Sequence, residues 1–390
     1  MQFLGLTGVS FLKLAVTGLV WISFIIAFHE YISYQHYLKR QFPFIAYIVL
    51  TLLLVWNVFN VFRSIVTKDG PLTTILGNVA SSLAILVPFS IIFSFYIINL
   101  KVLHKYFFNV LKLAVIVFVA FLLIYGKDMT PPQMLSLIIL FSPVSFLITS
   151  LPLQSKKTIL FILTCVLCLM FSAYLFSSRT AMLRVILLFI CLFGFLLYIT
   201  FRIKWILLFS CLVLVLPFAL LQQSYVTGES AFEKYLGNTN DDEYSVDTRT
   251  FLYTELFEDL SSSGSLITGK GANGSYYSEY FYSIDLGETH NRNNLEVGIL
   301  GILLKGGFIA VFLNLFLLVI AIVYAFFRSN NIYTIGLGYI LIVHFMLLFL
   351  ENYTIYSSYN FFVWFFIGVC LSKKMRGMNN TQIRAILNQD

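Results

Sequence analysis

Apolar runs about as long as a bilayer is thick recur from one end of this chain to the other, and they narrow its possible folds more than any other feature. The ~30 Å hydrocarbon core takes roughly 20 helical residues, and in lipid only helices and closed barrels satisfy every backbone polar group. On that ruler spans fall near 8–28, 42–62, 76–99, 107–125, 133–153, 158–177, 181–201, 205–221, 306–327, 332–350 and 358–371. The reading is an all-α polytopic integral membrane protein of about 11 transmembrane helices with one large, partly helical external loop. Residues 1–221 hold the first eight helices, 222–294 the loop, 295–372 the last three helices and 373–390 a tail. With 59% hydrophobic and 11% charged residues, a soluble domain is excluded.

The net charge of +7 comes from basic residues scattered singly or in pairs between the apolar runs, so it is an orientation signal and not a nucleic-acid footprint. One set of alternate connections holds Lys39, Arg40, Lys101, Lys105, Lys156, Lys157, Arg202, Lys204, Arg328, Lys373, Lys374, Arg376 and Arg384. The other, leaving the long loop aside, holds only Arg63, Lys68, Lys127 and Arg179. The first set faces the cytoplasm, which puts the N-terminus and the long loop outside. No cleavable leader is expected, because the start lacks a basic region and the first apolar run ends at His29-Glu30 without a small-residue cleavage site. The five cysteines lie within apolar runs; Cys165 and Cys168 form C-x-x-C with no other ligand nearby, so packing is expected and neither a disulfide nor a metal site.

The loop gathers twelve of the 18 acidic residues. Within it, Asp247 can cap a helix in which Leu252, Leu256 and Leu260 form an apolar stripe beside Phe257, ended by Ser261-Ser-Ser-Gly-Ser. Arg249 would sit in the first turn of that helix. There the free N–H groups already favour an anion, and a planar guanidinium can complete a diphosphate clamp. The plainer alternative is an ion pair with Asp247. Arg179 stands in Ser177-Ser-Arg-Thr on the outer side, against the charge bias, which an anionic ligand or a lipid headgroup would explain. Arg184 lies five residues, about 7.5 Å, deeper, a candidate site residue with snorkelling as its rival; Lys305, beside Gly306-Gly307, is treated alike. His290 suits a general base near neutral pH, against the reading of a loop histidine bonded to backbone. Asn291, Arg292 and Glu296 make a polar cluster around it, and Gly298 and Gly301 then permit close helix packing.

Other motifs carry less. Gly269-Lys-Gly-Ala-Asn-Gly has the letters of a nucleotide loop without a preceding strand, so it reads as a tight turn with Lys270 near an anion. Asp241-Asp-Glu reads as a solvated charge run before a divalent-ion site. Tyr276, Tyr277, Tyr280, Phe281 and Tyr282 read equally as an interfacial belt or a sugar-stacking surface.

Taken in order, Ser177-Ser-Arg-Thr, the run Asp247-Thr-Arg-Thr-Phe-Leu-Tyr, the Gly269-Lys-Gly turn and His290-Asn291 followed by Leu295-Glu-Val-Gly resemble the bacterial O-antigen polymerases of the Wzy type. The related O-antigen ligases of the WaaL type share the Arg, the His-Asn and the glycines, and the resemblance covers residues 177–307. It implies a GT-C-like, metal-independent glycosyltransferase that needs no cofactor and sits in the bacterial inner membrane with its loop in the periplasm. Its substrates would be undecaprenyl-pyrophosphate-linked oligosaccharides among the membrane lipids, for lipopolysaccharide or other polysaccharide biosynthesis. Arg249 and Arg179 would hold the diphosphate and His290 would be the base, with Asn291, Arg292, Lys270, Glu296 and Arg184 binding substrate. A chain-length regulator and a flippase would be partners. Arg292 replaces the aromatic residue common after His-Asn in ligases. A ligase acting on lipid A core is the nearest alternative, and a flippase for lipid-linked sugars, favoured by Arg184, Lys112 and Lys13, comes from another class.

Overall fold

The protein is seen as a computed structural model that describes residues 10–68, 70–125, 137–175, 179–219, 250–278, 291–293, 295–352 and 354–388. Its helices are α1 (Ser10–Ser33), α2 (Phe44–Thr67), α3 (Ile97–Tyr125), α4 (Lys156–Leu175), α5 (Arg179–Phe201), α6 (Lys204–Leu212), α7 (Thr250–Ser262), α8 (Gly298–Phe327), α9 (Ile332–Leu348) and α10 (Ser358–Leu371), with shorter helical pieces between them. Among the described residues six helices are long and apolar enough to cross a membrane, within α1, α2, α3, α4, α5 and α8. Shorter apolar helical stretches occupy Ser82–Phe95, Leu137–Leu153, Lys204–Ala219, Ile332–Leu348 and Ser358–Leu371. The architecture is that of an all-α, multi-pass membrane protein.

Helix α9 is the axis of the bundle. It is apolar on every face, and a helix of that kind has to be wrapped by protein; all 17 of its residues are buried, among α5, α8, α10 and the 3₁₀ stretch Ile148–Leu153. Small residues let the neighbours close in, as van der Waals packing in lipid requires. A Cβ on Gly336 would lie 2.9 Å from Phe195 and Thr149, and one on Gly368 2.8 Å from the Ile91 carbonyl oxygen. Away from this core, α1, α3, α4 and α5 turn bare apolar side chains outward, Leu123 and Leu160 among them. Such a surface suits lipid and would aggregate in water.

Several boundaries differ from those read in the sequence. The connection expected between 99 and 107 is helical, since α3 runs unbroken from Ile97 and carries Lys101 and Lys105 beside a buried His104. Long lysine stems can reach water from a helix face, so those charges mark a helix end and not a loop. The run 76–99 is not one helix but Leu72–Gly77, Ser82–Leu86 and a 3₁₀ stretch Val87–Phe95. Pro71 precedes the first piece, and Pro88, at the start of the 3₁₀ stretch, cannot donate a helical hydrogen bond. Finally, α8 begins at Gly298, eight positions before the expected span, and is broken at Gly307.

Candidate active site

Gly307 has φ 64° and ψ −168°, a conformation essentially confined to glycine, and there α8 breaks. The backbone groups on either side of the break bond to the turn at residues 266–271. Lys270 N donates to Leu304 O at 2.7 Å and Gly271 N to Lys305 O at 3.0 Å, while Phe308 N donates to Leu266 O at 3.1 Å and Ile309 N to Ile267 O at 3.3 Å. Trp56 Nε1 donates to Gly306 O at 2.9 Å, and the Arg63 guanidinium donates to the carbonyls of Thr268 and Gly269 at 3.0 Å each. Gly269 makes room for this splice: its φ is 68°, and a Cβ there would lie 2.5 Å from the Lys305 carbonyl carbon. Irregular backbone within a membrane bundle persists only when protein satisfies it, which the turn does.

The turn follows α7, whose Leu252, Leu256 and Leu260 are 1%, 0% and 0% exposed. The expected apolar stripe therefore packs inward against the bundle. Gly264, at φ 65°, closes the helix, with Ser265 N donating to Leu260 O at 2.8 Å. On the other face of α7, Asp259 pairs with Lys270 at 2.5 Å and Glu255 accepts from Ser278 Oγ at 2.7 Å. Between these contacts lies strand β1 (Tyr276–Tyr277), paired antiparallel with β2 (Asn291–Arg292) so that Tyr276 faces Arg292 and Tyr277 faces Asn291. This ribbon was not legible in the sequence. It brings Asn291 and Arg292, 14 and 16 positions from the residues they pair with, onto the strand that packs against α7. Burial pushes the Tyr276 phenol up to about 12; Arg292 opposes the shift, and Glu255 and Glu296 add to it.

The same end of the bundle is closed by α5 and the residues after α9. Arg184 pairs with Glu351 at 3.0 Å, each side chain 18% exposed. The Glu351 carbonyl accepts from Gly298 N at 3.0 Å, Asn352 Nδ2 donates to Leu295 O at 2.6 Å, and the Tyr253 hydroxyl donates to Phe349 O at 3.2 Å. Thus α5, α7, the approach to α8 and the exit from α9 hold one another through polar contacts. Beside them a polar hollow of about 480 Å³ opens between Arg63, Thr67, Ser265, Lys270, Asn273 and Ser275. Its hydroxyl, amide and cationic groups suit sugars or an anion.

Of the residues singled out in the sequence, Arg249 and His290 lie outside the described residues, the first immediately before α7 and the second immediately before β2. Asp247 and Asp241-Asp-Glu lie outside them too. Arg179 is the first residue of α5. Asn291 and Glu296 are exposed and Arg292 is half-buried on the ribbon and just after it. Lys270 and Arg184 each hold a carboxylate of the chain. Two residues of this end were missed. Arg63 was visible as one of the few basic residues on the sparse side of the charge bias, and Glu351 as a lone acid at the end of an apolar run. Among the described residues no group of three or more His, Cys, Asp or Glu is placed to hold a metal ion.

In comparison with known proteins, residues 163–315 match the family model described as O-antigen ligase. The matched stretch begins in α4 and ends in α8, so it takes in Arg184, α7, the spliced turn and the ribbon. No curated protein and no solved structure matches the chain.

Proposed function

We propose that the protein is a glycosyltransferase that polymerises lipid-linked polysaccharide repeat units, moving a glycan from undecaprenyl pyrophosphate to the non-reducing end of another lipid-linked unit. The observation that carries the reading is the packing of α7 against β1, to which β2 is paired, at one end of an apolar bundle, inside the stretch that matches the O-antigen ligase family. Arg249 and His290 immediately precede these two elements. The polymerase rather than the ligase is favoured by the wording Asp247-Thr-Arg-Thr-Phe-Leu-Tyr with Gly269-Lys-Gly after it.

In this reading the α7 end lies on the periplasmic face of the inner membrane. Arg249 and Arg179 hold the diphosphate, offsetting the charge that develops as the bond from the anomeric carbon to the phosphate oxygen breaks. The leaving diphosphate departs with that electron pair. His290 accepts the proton of the acceptor hydroxyl as its oxygen bonds to the anomeric carbon, and Asn291 orients the hydroxyl. Arg292, Glu296 and Lys270 line the acceptor side. Arg184, held by Glu351, fixes the start of α5 and with it Arg179.

The test is transfer by the purified chain in nanodiscs, given synthetic undecaprenyl-pyrophosphate repeat unit in the presence of chelator. The expected result is a ladder of lipid-linked polymer that disappears in Arg249→Ala and His290→Ala while both variants keep the wild-type unfolding midpoint. A ladder that survives in either variant would remove that residue from the mechanism. Absence of any ladder with the cognate unit would remove the polymerase.

A further inference from the structure

A second polar feature lies inside the bundle, apart from the ribbon. Lys305, 6% exposed, stands one residue before Gly306-Gly307 and donates through Nζ to the Ala80 carbonyl. An ammonium has three N–H donors, so two are left without a protein acceptor among the described residues. Nor does any described carboxylate pair with it, in contrast to Arg184 with Glu351 and Lys270 with Asp259. A buried charge that lacks a counter-charge is strongly destabilising, and one inside a membrane bundle marks a site by default.

Lys305 lines a cavity of about 70 Å³, room for several waters or a small oxyanion. Asn60 and His344, 1% and 5% exposed, line it as well. Asn60 Oδ1 and His344 Nδ1 are buried without a hydrogen-bond partner among the described residues. The Asn60 amide donates instead to Trp56 O at 3.0 Å, which fixes Oδ1 as the group left over. Gly301 and Thr354 line the cavity too, and Thr354 bonds to Asn352, next to Glu351, so the cavity reaches the polar end of the bundle.

A cation with spare donors, an amide oxygen waiting for a proton donor and an imidazole nitrogen able to take either role form a complementary set. Water alone would satisfy the last two and leave the charge unmatched. A singly protonated phosphate offers a partner to each: its oxyanion meets the ammonium, its P–OH donates to Asn60 Oδ1, and a further oxygen can accept from a protonated His344 Nδ1.

We propose that this cavity is an oxyanion site in which Lys305 holds a phosphate-class group, with Asn60 and His344 completing its hydrogen bonds. The group can come from the head of a polyprenyl phosphate or from free phosphate or pyrophosphate, and the site is independent of whether the chain transfers glycans.

The experiment is thermal unfolding of the full chain in nanodiscs at constant ionic strength, titrated with inorganic phosphate and pyrophosphate in one arm and with undecaprenyl monophosphate in the disc lipid in the other. The wild-type midpoint should rise with ligand in at least one arm. A response to the free anions alone identifies a soluble source, and a response to the lipid alone identifies a headgroup; either supports the site. Lys305→Met should weaken the response about ten- to a hundredfold, the loss of a hydrogen-bonded charge. Its unliganded midpoint should equal or exceed that of wild type, because a buried unpaired charge has been replaced by an apolar side chain. Asn60→Leu, which keeps the charge, should weaken the response less. Equal responses in wild type and Lys305→Met, or no response of wild type in either arm, would overturn the proposal. A polymer ladder formed by a chain that shows no Lys305-dependent shift would discard this site and leave the transferase reading standing; a Lys305-dependent shift without a ladder would do the reverse.

Discussion

Replacing Gly307 by alanine should be among the most damaging single-methyl changes in this protein. The residue sits at φ 64° and ψ −168°, where an L side chain costs roughly 1–3 kcal/mol. The added Cβ would also fall 2.1 Å from the Ile267 carbonyl oxygen and 2.5 Å from Gly269 N, both backbone atoms of the spliced turn. To relieve that overlap the turn has to withdraw, breaking the bonds from Phe308 N to Leu266 O and from Ile309 N to Ile267 O. Each is worth about 1 kcal/mol, so the total approaches ~3–5 kcal/mol. Gly264→Ala is the control: its φ is 65°, but nothing lies within 4 Å of the added methyl, so only backbone strain of about 1 kcal/mol is expected. Unfolding of both variants in mild detergent, followed by tryptophan fluorescence, measures the difference, and Trp56, bonded to Gly306 O, reports on the break itself. If Gly307→Ala were no less stable than Gly264→Ala, the turn would not be spliced into α8.

A double-mutant cycle on Arg184→Ala and Glu351→Ala should give a coupling of about 1–2 kcal/mol, reduced from the buried-pair range by partial exposure; additive effects would dissolve the pair. Gly368→Ala should destabilise by roughly 1–3 kcal/mol through overlap with Ser94 and Ile91, and Ser94→Ala should restore part of that loss. No restoration would mean that α10 and the 3₁₀ stretch are not in contact there. A phenol whose folded pKa exceeds its unfolded value near 10 supplies stability that is complete below that pH and lost as the pH rises to its folded value. Tyr276 should therefore weaken the fold as pH climbs from about 10 to about 12, and Tyr276→Phe should flatten that decline. A wild-type minus Tyr276→Phe difference spectrum that titrates at the ordinary tyrosine pH would contradict this.

Much of the frame was legible because lipid imposes a single rule on long apolar runs. The apolar stripe of α7 could be read from Leu252, Leu256 and Leu260, though not whether it would lie on the membrane or on helix ends, and the turn from Gly269 and Gly271. What the turn docks against could not be read: the break at Gly307 depends on backbone bonds formed with residues 266–271, and local patterning shows only two adjacent glycines. The same limit hid Glu351, which meets Arg184 from 167 positions away, and the two-residue strands of the ribbon, too short for any periodicity. Lys101 and Lys105 misled because a charge ends an apolar count without ending a helix.

The central claim is the choice of acceptor, and a competition measures it directly. Purified chain in nanodiscs would receive isotope-labelled undecaprenyl-pyrophosphate repeat unit together with equal amounts of unlabelled repeat unit and lipid A core, with products resolved by mass. The account predicts label in lipid-linked oligomers of two or more repeats and none on the core. Label on lipid A core with no lipid-linked oligomer would contradict it and make the chain a ligase.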